Sequence, residues 1–272
     1  MRPRRAASPM LLVLGLALAA AVPAAGQARD RPTLMLTIYG GLQTGQSLWS
    51  MARQPLSLLD TVPTAFDTLR LSRSVGSGLL LGLTATYFFL PQVGVHAQIG
   101  YEGFPLDDTC AMLHAEPDED QRNTQLCSNI SRSTVSGGAI HLSGGVVLRA
   151  AARGAVSPYV RAGIGFVNRP QSTVGTVGAY VTNATIMSRE VIADDSPYRT
   201  SVSATFGIGF TVPLSPGYQF RLEVRDAVSR IERPAGAANS QADAATEMTA
   251  FNSLGLTVGL DIVLEQKRGR RY

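Results

Sequence analysis

Residues Phe251 to Leu264 read FNSLGLTVGLDIVL. Leu254, Leu256, Val258, Leu260, Ile262 and Leu264 share one face of an extended strand, and Gly255, Thr257, Gly259 and Asp261 share the other. A strand that is apolar along one face and small or polar along the other suits a barrel wall standing between lipid and a polar interior.

The alternation recurs along the chain. Leu34–Leu42, Leu79–Phe89, Val93–Tyr101, Ile140–Leu148, Val160–Phe166, Val202–Val212 and Tyr218–Val224 each place apolar side chains on one face and Gly, Ser, Thr or single polar residues on the other. With the C-terminal segment this makes about eight strands of roughly 9–11 residues, the length that crosses a bilayer at a tilt. The connections alternate in length. Leu90–Gln92, Ala151–Ser157 and Pro213–Gly217 are short and rich in turn residues, whereas Gln43–Ser74, Pro105–Arg132, Arg169–Pro197 and Glu232–Glu247 are long. Tyr87, Phe89, Phe210, Tyr218 and Phe220 fall near the short-turn ends of the apolar face, and Tyr101 and Phe166 near the opposite ends. That is the distribution of aromatic girdles at membrane boundaries. The expected fold is therefore all-β: an eight-stranded antiparallel up-and-down transmembrane β-barrel, residues 29–264, with both termini on the short-turn, periplasmic side.

A soluble lipocalin-like barrel that binds an apolar ligand also alternates, with the apolar face inward. Its outer face should carry many long polar side chains. Here the polar face is mostly Gly, Ser and Thr, and the only lysine is Lys267. Small residues instead fit the crowded interior of a narrow barrel. The charges among them, Arg161, Arg221, Glu223, Arg225 and Asp261, are expected to form a lumen network, with Glu102 as a candidate further member, because a charge in that space requires a partner. A plugged lumen is not an open porin.

The N-terminus reads as a secretory signal peptide, residues 1–28. Arg2, Arg4 and Arg5 precede the apolar run Met10–Val22, and the small residues of Pro23–Ala28 follow it. Its removal lowers the formal net charge from +4 to +1, and no basic stripe interleaved with aromatics indicates nucleic-acid binding. Residues 265–272 form a basic tail, placed in the periplasm by this topology. Cys110 and Cys127, with 16 residues between them, are expected to form a disulfide in an oxidising compartment. A metal site built on Cys110, His114 and Cys127 lacks a clear fourth ligand. Asp107, Asp108, Glu116, Asp118, Glu119 and Asp120 read as a solvated charge run rather than a calcium loop, since their spacing is not that of an EF-hand. No cofactor is expected.

Thr257-x-Gly259-x-x-Ile262-x-Leu264 resembles the C-terminal signal by which outer-membrane barrels are recognised for assembly, without the usual terminal aromatic residue. Together with the strand pattern and the phrase Ser157-Pro158-Tyr159-Val160-Arg161-Ala162-Gly163-Ile164-Gly165-Phe166, the chain resembles the small OmpA-like, OmpX-like and opacity-type outer-membrane barrels. The resemblance implies a Gram-negative-type outer membrane, contact with its lipids and lipopolysaccharide, and handling by the barrel assembly machinery. It further implies functions ranging from envelope integrity to adhesion and host or phage contact; no enzymatic activity is expected, and recognition of an extracellular ligand is expected to fall to the long, rigidly mounted loops. A second reading rests on His141-x-Ser143, which is similar to the His-x-Ser arrangement of outer-membrane lipid A deacylases. The alternation points both side chains into the lumen, and no acidic partner is assignable from sequence.

Overall fold

The computed structural model describes residues 33–57, 66–114, 121–150, 155–194, 199–238 and 243–264. The proposed signal peptide, the basic tail, and Glu116, Asp118, Glu119 and Asp120 lie outside them. Twelve strands and one helix are present among the described residues: β1 (Thr33–Gln43), β2 (Gln46–Ser57), β3 (Phe66–Val75), β4 (Gly78–Phe88), β5 (Val93–His114), α1 (Arg122–Arg132), β6 (Thr134–Arg149), β7 (Ser157–Asn168), β8 (Thr176–Thr182), β9 (Thr185–Ile192), β10 (Thr200–Ser215), β11 (Tyr218–Pro234) and β12 (Thr246–Leu264).

Eight of the strands close a ring, in chain order β1-β4-β5-β6-β7-β10-β11-β12. All neighbours are antiparallel. The ring is completed by β12 on β1, where Leu34 lies opposite Leu264 and Gln43 opposite Gly255. Closure leaves these eight strands without a free edge over the length of the wall. The turns at one end are tight. Leu90 and Val93 exchange both main-chain hydrogen bonds across Pro91 and Gln92, and Gly217 supplies the left-handed residue (φ 89°) between β10 and β11.

The apolar faces point outward. Leu34, Leu36, Ile38 and Leu42 of β1 are exposed, while Met35, Thr37 and Tyr39 between them are buried. The same holds for β12, where Leu254, Leu256, Val258 and Leu260 face out and Ser253, Thr257 and Asp261 face in. This is the reverse of a soluble ligand-binding barrel. Exposed Tyr87, Phe89 and Tyr218 ring the short-turn end, and exposed Tyr101, Phe166 and Phe206 mark the other side of the apolar band.

The long connections differ most from expectation. They are not loops alone. Strand β5 runs on for 22 residues and β12 for 19. The hairpin β2–β3 joins the sheet by pairing β3 with the far half of β5. The helix α1 buries Leu126, Cys127 and Ile130, the i, i+1, i+4 stripe of an amphipathic helix. A second hairpin, β8–β9, turns through Asn183 (φ 48°) and Ala184 (φ 58°), a two-residue turn whose left-handed residues match the strand twist. These pieces share an apolar core containing Trp49, Met51, Leu69, Leu71, Leu106, Leu126, Ile130, Val191 and Phe251. A smaller cluster, Met35, Phe88, Val147 and Tyr159 with Val263 against it, seals the short-turn end of the lumen.

Candidate functional site

Two built regions follow from this fold: the lumen and the cap at its far end. The lumen residues expected from the sequence lie in one connected set. Arg161 donates to Glu223 Oε1 at 2.5 Å, and Tyr159 Oη donates to Glu223 Oε2 at 2.7 Å. The second guanidinium nitrogen of Arg161 donates to Gln98 Oε1 at 2.8 Å, and Gln98 Nε2 reaches Tyr39 Oη at 2.5 Å. Arg225 donates to the same Tyr39 oxygen at 3.2 Å and to Glu102 Oε1 at 2.8 Å. Glu102 Oε2 lies 2.9 Å from His141 Nε2. Arg221 pairs with Asp261 at 2.9 Å, Thr37 donates to Asp261 Oδ1 at 2.7 Å, and the Arg221 guanidinium carbon sits 5.0 Å from the Tyr159 ring centre. Each of these three arginines thus meets a carboxylate. The pairing matters because Glu223 is 1% exposed and Asp261 0% exposed, and an isolated ion at such depth carries a desolvation cost of several kcal/mol.

The wall gives way to this network at its glycines. Gly82 and Gly100 lie directly opposite one another on β4 and β5, and a Cβ at either would fall on Tyr39 Oη. Gly82→Val is therefore expected to expel Tyr39, breaking its contacts with Gln98 and Arg225. The loss should be about 1–3 kcal/mol, measured as a lower guanidinium midpoint of the folded barrel in detergent.

His141 and Ser143 both face the lumen and are buried. The sequence offered no acidic partner for His141. The structure supplies Glu102, diagonally across the β5–β6 pairing in which Gly100 lies opposite His141. Ser143 Oγ has no hydrogen-bond partner among the described residues, so His141 does not hold it as a base holds a nucleophile. Of the assembly-signal residues, Thr257 is buried on the lumen face and Leu264 is exposed on the lipid face of β12.

The cap corrects the reading of the acidic segment. Asp107 and Asp108 are strand residues of β5, not part of a solvated run. Asp108 is buried and receives two bonds from Arg73, at 2.6 and 2.7 Å, because β3 pairs with β5 with Arg73 opposite Asp108. Trp49 lies beside this pair, its ring 5.6 Å from the Arg73 guanidinium carbon, and its indole N–H donates to Thr173 O at 2.7 Å. Gln54 ties β2 to the β11–β12 connection through Ala238 N–H at 2.8 Å. Cys110 and Cys127 are disulfide-bonded, fastening α1 to β5. Ser131 Oγ adds bonds to both main-chain groups of Cys110.

A closed ring, apolar outside, filled by paired charges inside and capped at the long-segment end, defines a transmembrane barrel of the outer-membrane kind. The chain matches the family model described as outer membrane protein beta-barrel domain over residues 11–261, and it belongs to that family. It is a small outer-membrane β-barrel protein of a Gram-negative-type envelope. Among solved structures it is similar to the outer membrane protein OprG of Pseudomonas aeruginosa (12% identity, 87% of this chain and 97% of that one, TM-score 0.43). It is also similar to Neisserial surface protein A (8% identity, 86% and 99%, TM-score 0.39) and to outer membrane protein W of E. coli (12% identity, 87% and 100%, TM-score 0.37). No curated protein matches the chain.

Proposed function

We propose that this protein is a cell-surface recognition barrel, neither a pore nor an enzyme, whose cap is the working surface. The observation that carries this reading is the cap itself. An apolar core, a buried Arg73–Asp108 pair and the Cys110–Cys127 bond hold the outer segments in one shape on a rigid mount. Binding residues are commonly displayed on segments positioned in this way by a scaffold. The lumen network supports the exclusion of a pore, since three ion pairs and the cluster around Phe88 occupy the path. The inward placement of His141 and Ser143, away from lipid esters, supports a non-catalytic role.

The test compares cells carrying the wild-type chain, a chain with residues 176–192 replaced by a Gly/Ser linker, and His141→Ala/Ser143→Ala. Adhesion to host-matrix surfaces is expected to fall only in the linker chain, with all three barrels still shifting on unboiled gels. Lipid A acylation, read by mass spectrometry, should be the same in all three. Lipid A that changes only with the His141/Ser143 variant would overturn the reading in favour of a lipid-modifying enzyme. Stable conductance of the wild type in planar bilayers would overturn it in favour of a pore.

A further inference from the structure

The cap hairpin β8–β9 has two edges, and they are treated differently. The main-chain N–H of Ala179 donates to Asn129 Oδ1 at 2.9 Å and that of Val181 to Gln125 Oε1 at 3.0 Å. Side-chain amides of α1 thus cover the outer edge of β8. Those two residues therefore point their main-chain groups away from β9, and so must the residues opposite them, because directly opposed residues in an antiparallel pair either bond each other or both turn away. Ser188 lies opposite Ala179, Ile186 opposite Val181 and Glu190 opposite Val177. The main-chain groups of Ile186, Ser188 and Glu190 consequently face outward, and no covering strand or side chain meets them among the described residues. Beyond them the edge closes, where Gln54 Nε2 reaches Val191 O at 3.5 Å. Proteins ordinarily blunt such an edge. Here one is blunted and the other left open on the outer surface, with Ile186 76% exposed and Met187 also exposed.

We infer that β9 is a docking edge that accepts an extended segment of a partner protein by strand addition. The inference rests on the surface-recognition reading and names its partner class. Main-chain pairing to Ile186, Ser188 and Glu190 supplies the attachment, and the side chains beside it supply the selectivity. Ile186 with Val181 across from it forms an apolar ridge, and Glu190 on the same face two steps on is exposed. The complementary strand carries an apolar residue beside Ile186 and a basic one beside Glu190. A second copy of β9 does not fit this rule. Registers that join the open residues antiparallel set Glu190 against Ile186, Ser188 or its own copy, or leave it beyond the pairing, and none gives it a basic partner.

The probe is a fluorescent ten-residue peptide with lysine, threonine and valine at the alternate positions that lie opposite Glu190, Ser188 and Ile186. It is compared with the same peptide N-methylated at alternate amides. Binding to the full chain in detergent is expected to weaken at least tenfold on N-methylation. A similar loss is expected in Ser188→Pro, whose missing N–H is one that β8 does not use. In Glu190→Lys the preference should pass to a peptide with glutamate in place of lysine. No binding, or equal binding of the methylated peptide, would overturn the inference. So would concentration-dependent dimers that Ser188→Pro abolishes, which would assign the edge to a second copy. Cells carrying Ser188→Pro that adhere like wild type, while the linker chain does not, would remove the β9 edge and leave surface recognition standing.

Discussion

Arg221→Met is expected to destabilise the barrel by about 3–5 kcal/mol, the cost of leaving a buried charge without its partner. Asp261 is fully buried, and without Arg221 its carboxylate keeps one donor among the described residues, Thr37. The change also removes the guanidinium from the Tyr159 ring. Replacing both partners, Arg221→Met with Asp261→Leu, should recover most of the loss, because an apolar pair of similar volume avoids the desolvation penalty altogether. Unfolding in guanidinium is followed by the gel shift of the intact barrel. If the double variant is as weak as the single one, the pair stabilises the wall by its own attraction rather than by neutralising a buried charge.

Cys110→Ser/Cys127→Ser should act on the cap and spare the ring. A bond closing a loop of 17 residues is worth roughly 3 kcal/mol in the chain-entropy model. Without it α1 is still held by Leu126 and Ile130, by the amides of Asn123, Gln125 and Asn129, and by Ser131 Oγ on the main chain of residue 110. A loss of that size raises the opened fraction of the cap about 100-fold, and protease cleavage within residues 115–133 should rise in proportion. The chain contains one tryptophan, Trp49, and it sits in the cap core, so its fluorescence reports the cap while gel mobility reports the barrel. Both probes shifting together by the same amount would mean that cap and ring form one cooperative unit and would refute this separation.

The ring strands were legible because lipid on one side and a crowded lumen on the other enforce a strict two-residue period. The cap was not, for several physical reasons. Strand β2 breaks the period at two register shifts, between Ser47 and Trp49 and between Met51 and Gln54. Strand β3 keeps it, with Leu69, Leu71, Arg73 and Val75 all buried. That pattern could have been found, but an arginine on the apolar side disguised it. In α1 the stripe of Leu126, Cys127 and Ile130 is short and follows a run of acids that reads as loop. The lumen was legible as a set of charges. The partnerships were not, because Glu102 meets Arg225 from across the barrel and meets His141 only through the register of β5 on β6.

The surplus length of β5, β11 and β12 sets a height. About ten residues suffice to cross the hydrocarbon, whereas β5 has 22 and β12 has 19. At a rise of about 3.3 Å per residue and a tilt near 45°, roughly ten extra residues lift the far end some 25 Å clear of the acyl chains. The wall continues upward as a post, stiffened by β2 and β3 along β5. Whatever reaches the top does so above the zone where lipid headgroups and their first sugars crowd the surface. For a protein that works by surface recognition, as proposed, this height lets a bulky folded partner touch the cap without parting the lipopolysaccharide around its base.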